Sequence, residues 1–359
     1  EAELRRVAAV LEGHLDPKEV NFPDIEYTLI NGILATLDPH SVFLPPEGSK
    51  KMEEDNEGEF GGLGITINIK DGQLTIDYPL EGTPAWKAGL LSDDKIVKID
   101  GEGTLNMDMD DAVSKMRGPP GTKVTISIMR EGFETPKDYT LVRAVIKPSQ
   151  VWGQLLDGDI GYIKIDQFHA QVDTQLDETL ATLSKKAGGN LKGVILDLRG
   201  NPGGFLHQAV AVVDRFVSEG VIVSTVERDG RNREEKLAKD NGNEPQYPMV
   251  VLMSGTSASA SEIVSGSLQD LDRAVIIGQR SFGKGLVQQT YNLSYNTLLK
   301  VTIAKYYTPS GRCIQALDYT HRNSDGSVIK VADSLITEYK CLLARIWCCC
   351  NFGNFGLFT

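Results

Sequence analysis

The spacing of apolar residues changes along the chain and divides it into regions. Over residues 1–57 apolar positions recur every three or four residues, as in IEYTLINGILATLD, and predict a helical segment that DPHSVFLPPEGS interrupts with prolines. From GEFGGLGITINI onward the period becomes two. This change predicts a β-rich module over residues 58–147, with short helices at TPAWKAGL and DMDDAVSKMR.

The next region, residues 148–333, alternates strand and helix patterns. Apolar runs such as KGVILDL, MVVLMS and AVIIG predict buried strands, and LVQQTYNL and LLKVTIAKYY predict two more. Helical patterns cover residues 171–187, 205–218 and 260–271. The stretch GRNREEKLAKDNGNEPQYP is too polar for a core position. We therefore expect a multidomain α/β protein whose largest part is built from βαβ units.

Residues 334–359 form an atypical tail that holds Cys341, Cys348, Cys349 and Cys350. A metal site is one interpretation, but CCC alone is a weak metal pattern, and we favour a segment that is not native to the protein. Cys313 is the only other cysteine, so the fold uses no disulfide framework.

Composition narrows the classes of partner. The chain has 37 basic and 49 acidic residues, a formal net charge of −12, which disfavours binding to nucleic acid and leaves peptides, proteins or small molecules. No run of eighteen apolar residues occurs, and EAELRRVAAVLEGHLDP has the pattern of an amphipathic helix rather than of a membrane span or a signal peptide. We expect neither a metal nor a cofactor.

The glycine-rich stretch GGLGI opens the β-rich module. Consecutive backbone N–H groups at such a turn suit the capture of a terminal carboxylate, with the peptide added as a strand beside ITINI, although the glycines alone fit an ordinary tight hairpin equally well. The residues predicted to contact the peptide are Gly62, Leu63, Gly64, Ile65, Val113 and Met116. EGTPAWKAGLLSDDKIVKIDG resembles the matching stretch of PDZ domains, with Asp93 where a glycine is usual.

Arg117 ends the second short helix of this module, in MRGPPGT. A mobile guanidinium there is a candidate for reporting peptide occupancy to the rest of the protein. A solvated arginine that complements the helix dipole is the alternative.

The hydroxyl-rich stretch GTSASASEIVSGSLQD follows the apolar run PMVVLM. A strand, a tight turn and a helix would place Ser259 at a helix N-terminus, where free N–H groups favour an oxyanion, but Ser259 and Glu262 also match a capping box. In SFGKGLVQQ, Lys284 becomes a general base if burial lowers its pKa, and a two-residue period would put it on one face with Leu286 and Gln288. A Gln288 side chain on that face would orient the amine, which completes a Ser-Lys dyad with a third group.

The loop in LDLRGNPGGFLHQAV is the candidate for stabilising an oxyanion. Its glycines leave backbone N–H groups uncovered at another helix start, so Gly204 and Ala260 are the predicted donors of an oxyanion hole. A plain glycine-rich loop between strand and helix is the alternative.

Taken together, DLRGNPGG, TSASASEIVSGSLQD, GQRSFGKGLVQ and YYTPSGRCIQ resemble the C-terminal processing peptidases, also called tail-specific proteases, over roughly residues 20–330. The resemblance implies these matching residues: nucleophile Ser259, base Lys284, supporting amide Gln288, oxyanion donors Gly204 and Ala260, and a structural acid, Asp270. It also implies a crotonase-like (ClpP/crotonase type) core with an inserted PDZ domain. The expected activity is that of a periplasmic or cell-envelope serine endopeptidase, sometimes a homodimer, that cleaves proteins with apolar C-termini through an acyl-enzyme.

Other interpretations of the same motifs stay open at the level of sequence. GQRSFGKG matches most of the P-loop motif, but Gly285 stands where that motif requires Ser or Thr, and the segment after it has a strand pattern. SFGK would make Ser281 the nucleophile if it lay on a helix, and His207 is a second conceivable base. A catalytically silent PDZ scaffold that only binds peptides is the alternative function.

Overall fold

The computed structural model describes residues 22–227, 230–325 and 327–331, together with Arg6, Ala9, Val10 and Gly13. The chain divides into two compact units: a smaller one, Glu54–Ser149, and a larger one that combines the residues up to Glu53 with those from Gln150 onward. The cysteine-containing tail, residues 334–359, lies outside the described residues.

The smaller unit is a β-rich module with two helices. Its elements are β2 (Phe60–Gly62), β3 (Ile65–Lys70), β4 (Gln73–Pro79), α3 (Pro84–Lys87), β5 (Lys95–Ile99), β6 (Glu102–Gly103), α4 (Met109–Met116), β7 (Lys123–Met129), β8 (Lys137–Val142) and β9 (Ala144–Ile146). The main sheet has the order β3-β4-β5-β7-β8, with β6 beside β5, while β2 pairs with β9. Strand β3 therefore lies at an edge, where another strand can be added. The alternating apolar residues of these strands build the core, which includes Leu74, Ile76, Ile96, Ile126 and Ile128.

The larger unit is built around a mainly parallel sheet in the order β10-β11-β12-β15-β16. Its strands and helices are β10 (Val151–Leu156), β11 (Ile160–Ile165), α5 (Val172–Lys186), β12 (Gly193–Asp197), α6 (Leu206–Asp214), β15 (Met249–Met253), α7 (Ala260–Asp270) and β16 (Val275–Gly278). Strands β11, β12, β15 and β16 are parallel, and β10 is antiparallel to β11. Their apolar residues are buried with those of α5, α6 and α7 in one core. The loops after β12 and β15 leave the same edge of the sheet, where parallel α/β sheets place their sites.

A second sheet of the larger unit joins strands from distant parts of the chain. It has the order β1-β18-β13-β14, with β17 beside β18, and its strands are β1 (Val42–Leu44), β13 (Val221–Glu227), β14 (Arg233–Leu237), β17 (Leu286–Asn292) and β18 (Leu298–Tyr307). A 3₁₀ turn at Ser294–Asn296 connects β17 to β18. The chain continues through β19 (Leu317–Arg322) and β20 (Val328–Lys330).

The prediction of a helical segment over residues 1–57 missed one strand. Helices α1 (Phe22–Leu34) and α2 (Pro46–Glu57) form there, but between them β1 pairs with β18 of the larger unit. Only a partner more than 250 residues away makes VFL a strand, and local periodicity does not contain that pairing. The mixed α/β character is confirmed.

A second difference concerns the polar stretch after β13. It contains β14, whose residues are all exposed and pair antiparallel with β13. An exposed edge strand needs no apolar alternation, which explains why the hydropathy pattern missed it. Among the described helices, none combines the length and the apolarity that crossing a bilayer requires.

Candidate active site

Ser259 lies in the turn between β15 and α7, immediately before the first helical residue. Its backbone has φ +53° and ψ −112°, a conformation that non-glycine residues rarely adopt and that the surrounding structure must impose. It is half-buried, whereas Ala258 and Ala260 on either side are buried. The strain and the partial exposure therefore coincide at one serine.

The other buried hydroxyls of this stretch hold the turn and the helix in place. Ser257 Oγ donates to the carbonyl of Leu198 (2.7 Å), and Ser261 Oγ donates to that of Asn201 (3.1 Å). Ser267 Oγ donates to the carbonyl of Ile222 (2.6 Å). These bonds tie the stretch to the loop after β12 and to β13.

The loop after β12 packs directly against Ser259. A Cβ built on Gly203 would lie 2.7 Å from Ser259 Cβ and 3.0 Å from the Ala260 nitrogen, so only glycine allows this approach. Gly204 has φ +144°, and its neighbours are fixed by hydrogen bonds from Phe168 N–H to the Gly203 carbonyl (2.9 Å) and from Phe205 N–H to the Phe168 carbonyl (2.8 Å).

The structure thus packs Gly203, the residue before the predicted oxyanion donor Gly204, against the turn that holds the other predicted donor, Ala260. Within the described ranges, neither the Gly204 nor the Ala260 N–H donates a backbone hydrogen bond. Two N–H groups without an acceptor, beside a serine at a helix N-terminus, are the arrangement that stabilises a developing oxyanion.

Lys284 lies in the loop before β17, between two glycines that allow close packing. A Cβ on Gly283 would lie 2.4 Å from Ala316 Cβ, and one on Gly285 would lie 2.5 Å from the Gln315 nitrogen. The Gly285 N–H also donates to Gln315 Oε1 (2.8 Å). The absence of side chains at these two glycines therefore allows the lysine loop to pack closely against residues 315 and 316.

A buried carboxylate links this loop to the serine turn. Glu262, on the first turn of α7, accepts hydrogen bonds at Oε2 from the N–H groups of Ser259 (2.8 Å) and Lys284 (2.8 Å). The two backbone nitrogens lie at most twice that distance apart. The sequence analysis identified Glu262 only as half of a capping box. No sequence pattern predicted its hydrogen bonds to the lysine loop.

Burial lowers the pKa of Lys284, and the positive charge of Lys300 lowers it further, while Glu262 and Asp38 oppose the decrease. The direction is the one that a lysine base requires. Asp38 and Lys300 were not identified from the sequence, because Asp38 is distant in the chain and Lys300 comes close to Lys284 only through the pairing of β17 with β18.

The turn before β1 contributes a histidine to the same neighbourhood. Burial lowers the pKa of His40, and the nearby charge of Lys284 acts in the same direction. Asp38 fixes this turn, since it accepts hydrogen bonds from His40 N–H (2.8 Å), Ser41 N–H (2.9 Å) and Ser41 Oγ (2.7 Å). The N-terminal segment is thus part of the lysine environment.

The strand expected to carry Lys284, Leu286 and Gln288 starts later than predicted. Strand β17 begins only at Leu286, so its two-residue period does not extend to Lys284, and the ladder shifts register at Val287 and Gln288, where Ile303 of β18 has no partner in the ladder. Gln288 is opposite Thr302 in the ladder, and its Nε2 is buried with no hydrogen-bond partner in the described part of the chain. Such an unsatisfied donor has spare capacity for a ligand or a reacting group.

Asp270, the acid predicted to be structural, ends α7. Its carboxylate accepts hydrogen bonds from Ser310 N–H (3.0 Å) and Ser310 Oγ (2.6 Å), and it forms an ion pair with Arg312. These contacts anchor the turn after β18 to the helix.

The competing interpretations of the motifs do not fit the structure. No helix follows Gly285, because β17 does, so the geometry of a P-loop is absent there. Ser281 is not on a helix with Lys284, and its hydroxyl donates to Glu262 Oε1 (2.6 Å). His207 is exposed on α6 and lies beside Phe205, with ring centroids 4.9 Å apart.

The GGLGI turn of the smaller unit has the features expected of a carboxylate site. Gly62 ends β2, Ile65 begins the edge strand β3, and neither the Leu63 nor the Gly64 N–H donates a backbone hydrogen bond to any described residue. Gly64 has φ +76°, and a Cβ there would lie 2.3 Å from Thr83 Cβ. The two residues of α4 that were predicted to contact the peptide differ in exposure. Val113 is half-buried, whereas Met116 is 5% exposed and packs in the core.

Arg117 follows the last residue of α4. Its guanidinium lies over the Phe60 ring, 4.0 Å from the centroid, and its N–H donates to the Val113 carbonyl (2.8 Å). The arginine therefore rests on β2, next to the GGLGI turn.

Among the described residues, no group of three or more His, Cys, Asp or Glu side chains could hold a metal ion. The chemistry open to the two sites is nucleophilic attack at the serine turn and peptide binding at the GGLGI turn.

Comparison with known proteins gives consistent matches. Residues 159–320 match the model of Peptidase family S41, and residues 75–130 match that of the PDZ domain. The carboxy-terminal-processing protease of Bartonella bacilliformis is 44% identical over 305 residues, which cover 84% of this chain and 70% of that protein. A carboxyl-terminal-processing protease of Synechocystis is 40% identical and is covered to 69%, and the carboxy-terminal processing protease CtpA of Bacillus subtilis is 34% identical and is covered to 60%.

Proposed function

We propose, from the premise that this chain belongs to peptidase family S41 and is a carboxy-terminal processing serine peptidase with a PDZ domain, that it cleaves proteins through a Ser-Lys dyad. Ser259 is the nucleophile and Lys284 the general base. The observation that carries this assignment is the convergence of both backbones on one oxygen of Glu262, with Lys284 in surroundings that lower its pKa.

The reaction begins with neutral Lys284, which removes the Ser259 hydroxyl proton as Oγ attacks the peptide carbonyl carbon. The carbonyl oxygen becomes an oxyanion and accepts hydrogen bonds from the Gly204 and Ala260 N–H groups. When the C–N bond breaks, the Lys284 ammonium returns the proton to the leaving amine. Water then attacks the acyl ester, with Lys284 again as base, and Ser259 is regenerated. Gln288 supports the amine through its side-chain amide.

The smaller unit selects the substrate by its C-terminus. The terminal carboxylate binds the free N–H groups of the GGLGI turn, and the last residues add as a strand beside β3. An apolar last side chain contacts Val113, which has accessible surface. The unused N–H groups and the open sheet edge support this mode of recognition.

Cleavage of a reporter tests the catalytic part of the proposal. The reporter is an unfolded protein that ends in Ala-Val-Val, and a matched version ends in Asp-Lys-Glu. Wild type cleaves the apolar-tailed reporter, whereas Ser259→Ala and Lys284→Ala do not, because each lacks one half of the dyad. A fluorescent Ala-Val-Val peptide binds all three proteins equally.

Two results would contradict the proposal. Full activity of Lys284→Ala would eliminate the dyad, and equal cleavage of the two reporters by wild type would eliminate tail recognition. The silent-scaffold alternative predicts that wild type is as inactive as Ser259→Ala while peptide binding is retained.

A further inference from the structure

Glu262 is a carboxylate that is 0% exposed and is surrounded by hydrogen-bond donors. Its Oε2 accepts from Ser259 N–H and Lys284 N–H, both at 2.8 Å. Its Oε1 accepts from Gly283 N–H and Ser281 Oγ, both at 2.6 Å. Burying an unpaired carboxylate is costly, and these donors stabilise its ionised form, although burial still raises the pKa of Glu262 above its ordinary value.

A helix cap does not explain this arrangement. Of these four bonds, a capping box accounts only for the one from the Ser259 N–H, whereas the other three donors belong to the lysine loop. A further bond between this loop and the serine turn, from Phe282 N–H to the Ser257 carbonyl (3.0 Å), touches neither catalytic residue. Glu262 therefore joins the two residues whose separation matters for proton transfer.

We propose that Glu262 is a positioning residue of the peptidase, a buried carboxylate that sets the separation between the backbones of Ser259 and Lys284. This inference rests on the proposed Ser-Lys chemistry. The contribution is geometric, since a proton passes between the two side chains only when they are within hydrogen-bond reach, and a displacement of about 1 Å lowers rates by about a hundredfold.

The charge of Glu262 has a separate and opposite effect on Lys284. The groups that act on the lysine ammonium are Lys300, which lowers its pKa, and Glu262 and Asp38, which raise it. In the pH profile of kcat, a neutral residue at position 262 therefore moves the acid limb to lower pH. The same substitution lowers the maximal kcat of that profile. A residue that only stabilised the fold would not move that limb.

Glu262→Gln is the principal test variant. Glutamine presents one acceptor oxygen and one NH₂ group, so about half of the four donors lose their acceptor. We expect kcat on the apolar-tailed reporter to fall at least tenfold, KM to stay within twofold, and the acid limb to move to lower pH. Ser281→Ala is the matched control, because it removes one donor to Oε1 and leaves both bonds to Oε2. Its kcat should stay within threefold of wild type.

Glu262→Asp is the second variant and guards against misfolding of the first. It keeps the charge but is one methylene shorter, so one oxygen no longer reaches both N–H groups. Its kcat falls while its acid limb stays in place. Thermal melts followed by circular dichroism measure folding of each variant.

The positioning role is overturned if a folded Glu262→Gln or Glu262→Asp protein keeps kcat within twofold of wild type. It is also overturned if Ser281→Ala loses as much activity as Glu262→Gln. Failure of the underlying chemistry is seen separately, as turnover by Ser259→Ala or Lys284→Ala.

Discussion

Replacement of Gly204 by alanine is a direct test of the oxyanion hole. The residue has φ +144°, and an added Cβ would lie 2.2 Å from the Phe168 carbonyl oxygen and 2.7 Å from its carbon. These atoms belong to the backbone and cannot rotate away. Hydrogen bonds on both sides of Gly204 connect it to Phe168, so the loop has to move as a whole.

The size of the effect follows from these distances. Nonbonded heavy atoms are most stable about 3.5 Å apart, so relief of the clash requires a displacement of about 1 Å. Donors to an oxyanion work at about 2.7–3.1 Å, and a shift of that size breaks the bond from the Gly204 N–H. Loss of one such donor costs about 10²–10³ in kcat. We therefore expect a fall of about two orders of magnitude, with the substrate tail still bound.

Gly200 in the same loop supplies a matched control. It also has a positive φ, +80°, but a Cβ there would meet nothing within 4 Å. Both alanine variants therefore incur the conformational cost of a left-handed backbone, about 1–2 kcal/mol, and only Gly204→Ala has the clash.

The assay compares kcat on the apolar-tailed reporter, the rate of labelling by a fluorophosphonate, and the melting temperature of each protein. Gly204→Ala should be slow in the first two measurements, and Gly200→Ala should differ from wild type only in melting temperature. If the two folded variants have kcat values within threefold of each other, the assignment of Gly204 as an oxyanion donor is wrong.

Two further predictions concern the lysine and the arginine. Because Lys284 has a lowered pKa and acts when neutral, kcat/KM should rise with pH along a limb whose midpoint is below 10.5. Lys300→Met should move that midpoint to higher pH, because it removes a repelling charge. A midpoint that stays in place or moves to lower pH would contradict this prediction. Arg117→Ala removes the contact with Phe60, and if Arg117 reports peptide occupancy, the ratio of kcat/KM between the apolar-tailed and charged-tailed reporters should fall; an unchanged ratio would end that hypothesis.

Much of the local structure was predictable because it depends on neighbours in the sequence. The apolar runs at 193–197, 249–253 and 275–278 are strands, and the pattern at 260–271 is the helix α7. The glycines of the loop that contains Gly204 were predicted to leave backbone N–H groups uncovered. In the structure the packing leaves no room for a Cβ at Gly203 or Gly204, nor at Gly283 or Gly285.

The failures have a common physical origin in contacts between distant residues. The pairing of β1 with β18 turns part of the N-terminal segment into a strand of the larger unit. Strand β17 begins only at Leu286, where its ladder with β18 starts, so the expected alternation does not include Lys284. Asp38 reaches the surroundings of Lys284 from the N-terminal segment, and Lys300 reaches them from the adjacent strand β18, and no local pattern records either proximity.

The sequence by itself was enough to propose which residues carry the chemistry, because a hydroxyl at a helix start, a lysine between glycines and a glycine-rich loop are local features. The tertiary structure alone decided how they are joined. In the sequence Glu262 matches only the second half of a capping box, three residues after Ser259. Folding buries it and brings the lysine loop to its carboxylate, and a buried charge must find its donors wherever the chain supplies them.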